Sequence, residues 1–341
     1  MIFYILFPLV VLALNMLIKK NKFFISNFQL NHQKFINVQV PLVGGYLLVF
    51  PILFLFYKVD FLFSVICVLM FLLGTFSDFN ILSSPKKRFL IQFLLILIFV
   101  FVKQLEVFPT RISYIDENFT KTYWSYLFTV FCLMILINGS NFIDGLNGLL
   151  LGYFIIILLI INKLNLLSNF NLSDNQFHFL IYTFVIVYFF NFFNQFFLGD
   201  SGAYFLSFFI GSILIKIYNI SLEISPYFII LLIWYPCFEN LFSIIRKLKK
   251  KKSVLKPDNG HLHQTIFLLI KQKFNLKNLL ANVISGLLIN LFNLILLYIG
   301  SLDPNNTMFQ LNLILIAIFS YLIIYTIIRK NIDGSVISSK K

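Results

Sequence analysis

Residues 89–102 read Phe-Leu-Ile-Gln-Phe-Leu-Leu-Ile-Leu-Ile-Phe-Val-Phe-Val, with Gln92 the single polar side chain. Apolar groups on every face exclude a membrane β-strand, which alternates apolar and polar residues. They suit a helix, which satisfies its own backbone inside lipid. Ile2 to Ile18 reads the same way. The whole chain agrees: 341 residues are 60% hydrophobic and 12% charged, with 45 Phe and 16 Tyr against 14 Gly and 9 Pro. That composition excludes a water-soluble enzyme and a disordered or low-complexity chain. The sequence therefore predicts an all-α, polytopic integral membrane protein.

Runs long enough to cross the hydrocarbon core predict about eleven transmembrane helices, near residues 2–18, 40–57, 60–77, 88–103, 123–138, 147–162, 177–193, 202–219, 226–245, 279–299 and 310–328. They form one transmembrane domain over residues 1–341, with a basic loop at 246–278 and a short tail at 329–341. The first run lacks a basic leader and a small-residue cleavage site, and reads as a retained span rather than a signal peptide. Cys67, Cys132 and Cys237 lie singly in apolar runs and read as small hydrophobes.

Of the 27 Lys and Arg residues, 21 fall in alternate connections. The excess of cations marks the cytoplasmic side, predicting an outside N-terminus and an inside C-terminus in a bacterial inner membrane. The net charge of +14 is then mainly a topology signal that also suits anionic membrane lipids. It is spread over membrane-bordering loops, so nucleic acid is not an expected partner. Among the 13 acidic residues, Asp78, Asp144, Asp200, Glu239, Asp258 and Asp333 fall near predicted cytoplasmic helix ends. Scarce carboxylates gathered on a basic face suggest a site there, although each alone could be a helix cap.

Four segments break the apolar pattern on that side. Gly74-Thr-Phe-Ser77-Asp78 is followed by Ser83-Ser84-Pro85-Lys86-Lys87-Arg88 and Gln92. Asn138-Gly-Ser-Asn141-Phe-Ile-Asp144-Gly-Leu-Asn147-Gly148 repeats a polar group every third residue, which traces a slanted stripe on a helix. Phe197-Leu-Gly199-Asp200-Ser201-Gly202 opens a helix. Pro257-Asp258-Asn-Gly260-His261-Leu-His263-Gln264 suits a loop presenting two imidazoles to phosphate or metal. Carboxylates able to hold Mg²⁺, amide-rich turns and cationic donors at one interface are what phosphoryl transfer requires. The membrane setting implies a lipid substrate.

The order and wording of these segments resemble the polyprenyl-phosphate N-acetylhexosamine-1-phosphate transferases, which include the bacterial phospho-MurNAc-pentapeptide translocase and the GlcNAc-1-phosphate transferases of surface-glycan synthesis. Ser77-Asp78 with Lys86 and Gln92 is similar to that family's Asp-Asp…Lys…Gln segment. Asn138-x-x-Asn141-x-x-Asp144-Gly-x-Asn147-Gly148, Leu198-Gly199-Asp200-x-Gly202, Pro257-Asp258-x-x-His261-x-His263 and Pro41-x-x-Gly44-Gly45 match its other segments in order, over roughly residues 19–270. The resemblance implies transfer of an N-acetylhexosamine 1-phosphate from a UDP-N-acetylhexosamine to undecaprenyl phosphate, with release of UMP and with Mg²⁺, or Mn²⁺ in its place, as cofactor. It implies a catalytic set of Asp78, Asp144 and Asp200. Asp200 would be a metal ligand, Asp144 would lie beside metal and diphosphate, and Asp78 would orient the attacking lipid phosphate. Asn138 and Asn141 would line the nucleotide side, Asp258 would serve the nucleotide sugar, and Lys86, His261 and His263 would grip phosphate oxygens. The histidine-rich stretch of the pentapeptide translocases is missing, which favours the surface-polysaccharide branch (O-antigen or lipopolysaccharide type).

Ser77, Asn147 and Gln264 stand where that family has Asp, Asp and His, and residues 191–195 lack its Pro and Lys. These departures motivate an alternative reading as a catalytically weakened paralogue. A lipid or solute transporter is a second alternative, against which the absence of an internal repeat counts. Neither the sugar nor the oligomeric state is encoded in a recognisable pattern.

Overall fold

The computed structural model describes residues 2–21, 40–119, 122–166, 173–253 and 260–338; Pro257 and Asp258 lie outside them. The described residues form helices α1 (Ile2–Asn21), α2 (Gly44–Phe56), α3 (Phe61–Asp78), α4 (Pro85–Lys103), α5 (Ser113–Phe119), α6 (Tyr123–Ile143), α7 (Leu149–Lys163), α8 (Asp174–Phe192), α9 (Gly199–Ile220), α10 (Pro226–Leu232), α11 (Trp234–Lys249), α12 (Leu262–Phe274), α13 (Asn278–Gly300) and α14 (Thr307–Ser338). Among them no strand occurs, only an isolated parallel bridge between Leu42 and Phe197.

All eleven expected spans fall on helices. By length and composition α3, α6, α9, α13 and most of α14 can cross a membrane, and α10 with α11 makes a sixth if the bent pair is one span. The other five, α1, α2, α4, α7 and α8, are helices of 13 to 20 residues. The run expected as one helix at 226–245 is bent by 77°. Pro236 explains the break: it has no N–H to give the Leu232 carbonyl, one turn back. The buried Tyr153 hydroxyl donates to that carbonyl at 2.9 Å and accepts the Tyr235 N–H at 3.4 Å.

Lipid tails are as apolar as leucine, so helices here associate through close packing rather than escape from water. The abundant phenylalanines serve that packing. Phe56, Phe63, Phe99, Phe208 and Phe209 from α2, α3, α4 and α9 interleave with ring centroids 5.0–5.9 Å apart. Beside this cluster Asp60 caps α3 through the Phe63 N–H at 3.0 Å and pairs with Lys103 at 2.8 Å and Lys216 at 2.5 Å. The central element is α9, with 83% of its membrane-length window buried. At its other end it lies against α3 with no room for a side chain: a Cβ on Gly74 would stand 2.4 Å from the Ser201 Cα and the Asp200 carbonyl. That close approach brings the end of α3 to the start of α9.

Candidate active site

The junction of α3 and α9 is built on Gly199. Its φ of +78° lies in the left-handed region, and a Cβ there would meet the Asp78 carboxylate at 2.7 Å; only glycine fits both conditions. The turn aims the first N–H groups of α9 at α3. Leu198, at the N-cap, offers no side-chain hydrogen bond, so the orphan donors of α9 find their acceptor on another helix. The Asp200 N–H donates to Asp78 Oδ1 at 2.8 Å and the Ser201 N–H to Oδ2 at 3.0 Å. Asp78 thus holds the first turn of α9, a favourable place for a carboxylate at the positive end of a helix dipole.

Asp200 projects from that turn, and its donors converge on one oxygen. Oδ2 accepts from the Ser77 hydroxyl at 2.5 Å and from Arg88 Nη1 at 2.9 Å, with the Tyr204 hydroxyl at 3.5 Å. Arg88 Nη1 also donates to Ser77 Oγ. Lys86, the cation singled out in the sequence, is exposed at the start of α4. Two residues on a helix are about 200° apart, so α4 turns Arg88 inward and Lys86 outward. The resemblance drew attention to Lys86 and missed Arg88.

The Asn138–Gly148 segment is not one helical stripe as expected. Asn138 and Asn141 occupy the last turns of α6, both half-buried; Asp144 is the C-cap, and Asn147 and Gly148 form the turn into α7. The Asn138 amide donates to the Met134 carbonyl at 2.8 Å. Around the turn lies an amide cluster that sequence reading missed. Asn282 Oδ1 accepts the Asn147 N–H and Asn191 Oδ1 accepts the Gly148 N–H, both at 2.7 Å. Asn290 Nδ2 donates to the Gly148 carbonyl at 3.0 Å. Asp144, Asn147, Asn191, Asn282 and Phe197 line a small pocket. Asn191 and Asn282 are polar residues within apolar helices, with no pattern in the sequence that joins them to Asn147 and Gly148.

The two imidazoles are not displayed from a loop. His261 is the N-cap of α12, His263 lies in its first turn, and both are buried. Glu239 on α11, fully buried, binds His261 Nδ1 at 2.9 Å, the Leu262 N–H at 3.4 Å and the Tyr321 hydroxyl of α14 at 2.9 Å. The His261 ring stacks on His263 with centroids 5.6 Å apart and meets Phe142 at 5.0 Å. Phe142 belongs to the Asn141–Asp144 segment, so the second and fourth segments touch. Among the described residues no three His, Cys, Asp or Glu converge to hold a metal ion.

Burial pushes the His263 ring down to about 3, helped by nearby His261 and Arg246 and opposed by Glu239. An unfolded histidine takes its proton near pH 6.5. Between about pH 6.5 and 3 the unfolded chain therefore binds more protons, and stability falls as pH falls through that window. Thermal unfolding in detergent at pH 7.5 and 5.5 should show a loss for the natural chain that is smaller in His263→Phe.

Residues 61–218 match the glycosyl transferase family 4 pattern, a segment running from α3 to α9 that contains Ser77, Asp78, Arg88, Asp144 and Asp200. Glu239 and the two histidines lie beyond the family 4 match. The chain is also similar to the probable undecaprenyl-phosphate N-acetylglucosaminyl 1-phosphate transferase of Bacillus subtilis (strain 168), at 29% identity over 202 residues. That alignment covers 57% of this chain and 54% of the relative, so the chain spans about half the length of the curated relative it matches.

Proposed function

We propose that this protein transfers an N-acetylhexosamine 1-phosphate from a UDP-N-acetylhexosamine to undecaprenyl phosphate and releases UMP, as the first membrane step of surface-glycan synthesis. The reaction faces the cytoplasm from a bacterial inner membrane, with Mg²⁺, or Mn²⁺ in its place, as the metal. The observation that carries this reading is the meeting of Ser77, Asp78, Arg88 and Asp200 at a membrane-helix junction within the family 4 segment. The name of the Bacillus subtilis relative supports the lipid acceptor and suggests N-acetylglucosamine as the sugar.

In this reading an oxygen of the lipid phosphate attacks the β-phosphorus of the UDP-sugar. The bond from that phosphorus to the bridging oxygen breaks, and UMP carries the electron pair away. Asp78 fixes the turn from which Asp200 projects, and Arg88 offsets the repulsion between two polyanions. Both Asp78 oxygens are engaged by backbone N–H groups. An extra base is not needed, because a phosphate monoester with a second pKa of about 6 is largely deprotonated at neutral pH. Mg²⁺ binds through one or two carboxylates with phosphate oxygens and water; the partly exposed Asp200 carboxylate would supply one, and the resemblance adds Asp144 as the other. When bound, the ion would neutralise charge on the diphosphate.

The direct test is transfer of label from β-³²P UDP-GlcNAc into extractable lipid by purified protein with undecaprenyl phosphate and Mg²⁺. Label in the lipid phase, with UMP released and EDTA abolishing both, is the expected result. No transfer from any member of a UDP-sugar panel, with a folded preparation, would overturn the proposal.

A further inference from the structure

The Arg88–Asp200 pair is not a buried structural bridge. Its side chains are 22% and 27% exposed, and the contact is made through Nη1 alone, although a guanidinium binds an oxyanion best through two parallel N–H groups. Arg88 Nε is buried without a hydrogen-bond partner, and so are both ends of the Gln92 amide, a side chain only 1% exposed. Gln92 lies one turn further along the same face of α4. This face therefore carries polar atoms that the protein leaves unmatched, beside a cation engaged through one nitrogen only.

We propose that Arg88 is an internal counter-ion that closes Asp200 to divalent cations until a phosphate group draws the guanidinium away. The proposal rests on the reading of Asp200 as part of the metal site. The guanidinium now stands at Asp200 Oδ2, where a divalent cation would otherwise find the carboxylate's charge. A phosphate offers Arg88 a two-point contact through Nε and an Nη, which the single-oxygen contact with Asp200 cannot match. Ser77 makes the arrangement possible. It bridges the pair as a neutral hydroxyl, whereas a carboxylate at this position would compete with Asp200 for Arg88. The consequence is an order of loading, phosphate before metal, that limits futile metal capture in the resting protein.

The experiment is direct Mn²⁺ binding to the purified, substrate-free protein, read by the free-ion paramagnetic resonance signal. Arg88→Gln should tighten Mn²⁺ binding about tenfold, since a unit charge at contact distance from the carboxylate is removed. Arg88→Met should do the same and repeats the test should the glutamine variant not fold. Lys87→Gln, an equal charge change on an exposed neighbour, should shift binding less than twofold. Asp200→Asn should abolish the tight site, alone and combined with Arg88→Gln. Loss of binding in Asp200→Asn with no tightening in either Arg88 variant overturns the counter-ion role while the metal reading stands. Unchanged Mn²⁺ binding in Asp200→Asn overturns the metal reading and the counter-ion role with it.

Discussion

Asp200→Asn is expected to lower sugar-phosphate transfer at least about a hundredfold, the usual cost of removing one preorganised electrostatic group, while leaving the protein folded in membranes. The amide keeps the shape of the carboxylate and can still accept from Ser77, so the packing of α9 against α3 is preserved. What it loses is charge, which binding of a cation and pairing with Arg88 both require. Transfer rates together with a detergent melting curve separate the two effects. A folded variant with full transfer would remove Asp200 from the reacting centre.

The second large effect is one of stability. Glu239→Ala should destabilise the protein by about 2–4 kcal/mol, since buried polar groups left without a partner cost about 1–3 kcal/mol each. Glu239 is completely buried and serves three groups on two other helices: His261 at the N-cap of α12, the Leu262 N–H and the Tyr321 hydroxyl on α14. Alanine leaves all of these donors in a dry interior without an acceptor. Glu239→Gln keeps one acceptor oxygen and should cost about 1–2 kcal/mol. Melting in detergent, with limited proteolysis around α12, distinguishes the series. An alanine variant as stable as the natural chain would mean that α12 is held by its apolar contacts instead.

The helices were legible because lipid leaves the sequence little choice: each expected span is an apolar run, and each is helical, although the run at 226–245 is two helices. The bend between α10 and α11 was legible in principle from Pro236, but a run read only for hydropathy at 226–245 hides it. The helix α12 escaped because its apolar positions, Leu262, Phe267 and Ile270, are embedded in a basic stretch that reads as a loop. In the site the rare carboxylates Asp78 and Asp200 lie together at the junction of α3 and α9, but nothing local in the sequence names their partners. That Asp78 receives the backbone of Asp200 and Ser201 depends on the crossing of two helices, which one sequence does not encode locally. Likewise the choice between Lys86 and Arg88 depends on the rotation of α4, which no resemblance in spacing fixes.

The cap that Asp78 places on α9 joins residues 122 positions apart. At about 5–20 residues per second of synthesis, roughly 6–24 seconds separate the appearance of this carboxylate from that of its backbone partners. Over that interval the Asp78 carboxylate lacks the two N–H groups that it accepts in the folded protein. A chain released before residue 201 therefore carries every residue of the first two polar segments and still lacks the pair of donors that tie α3 to α9.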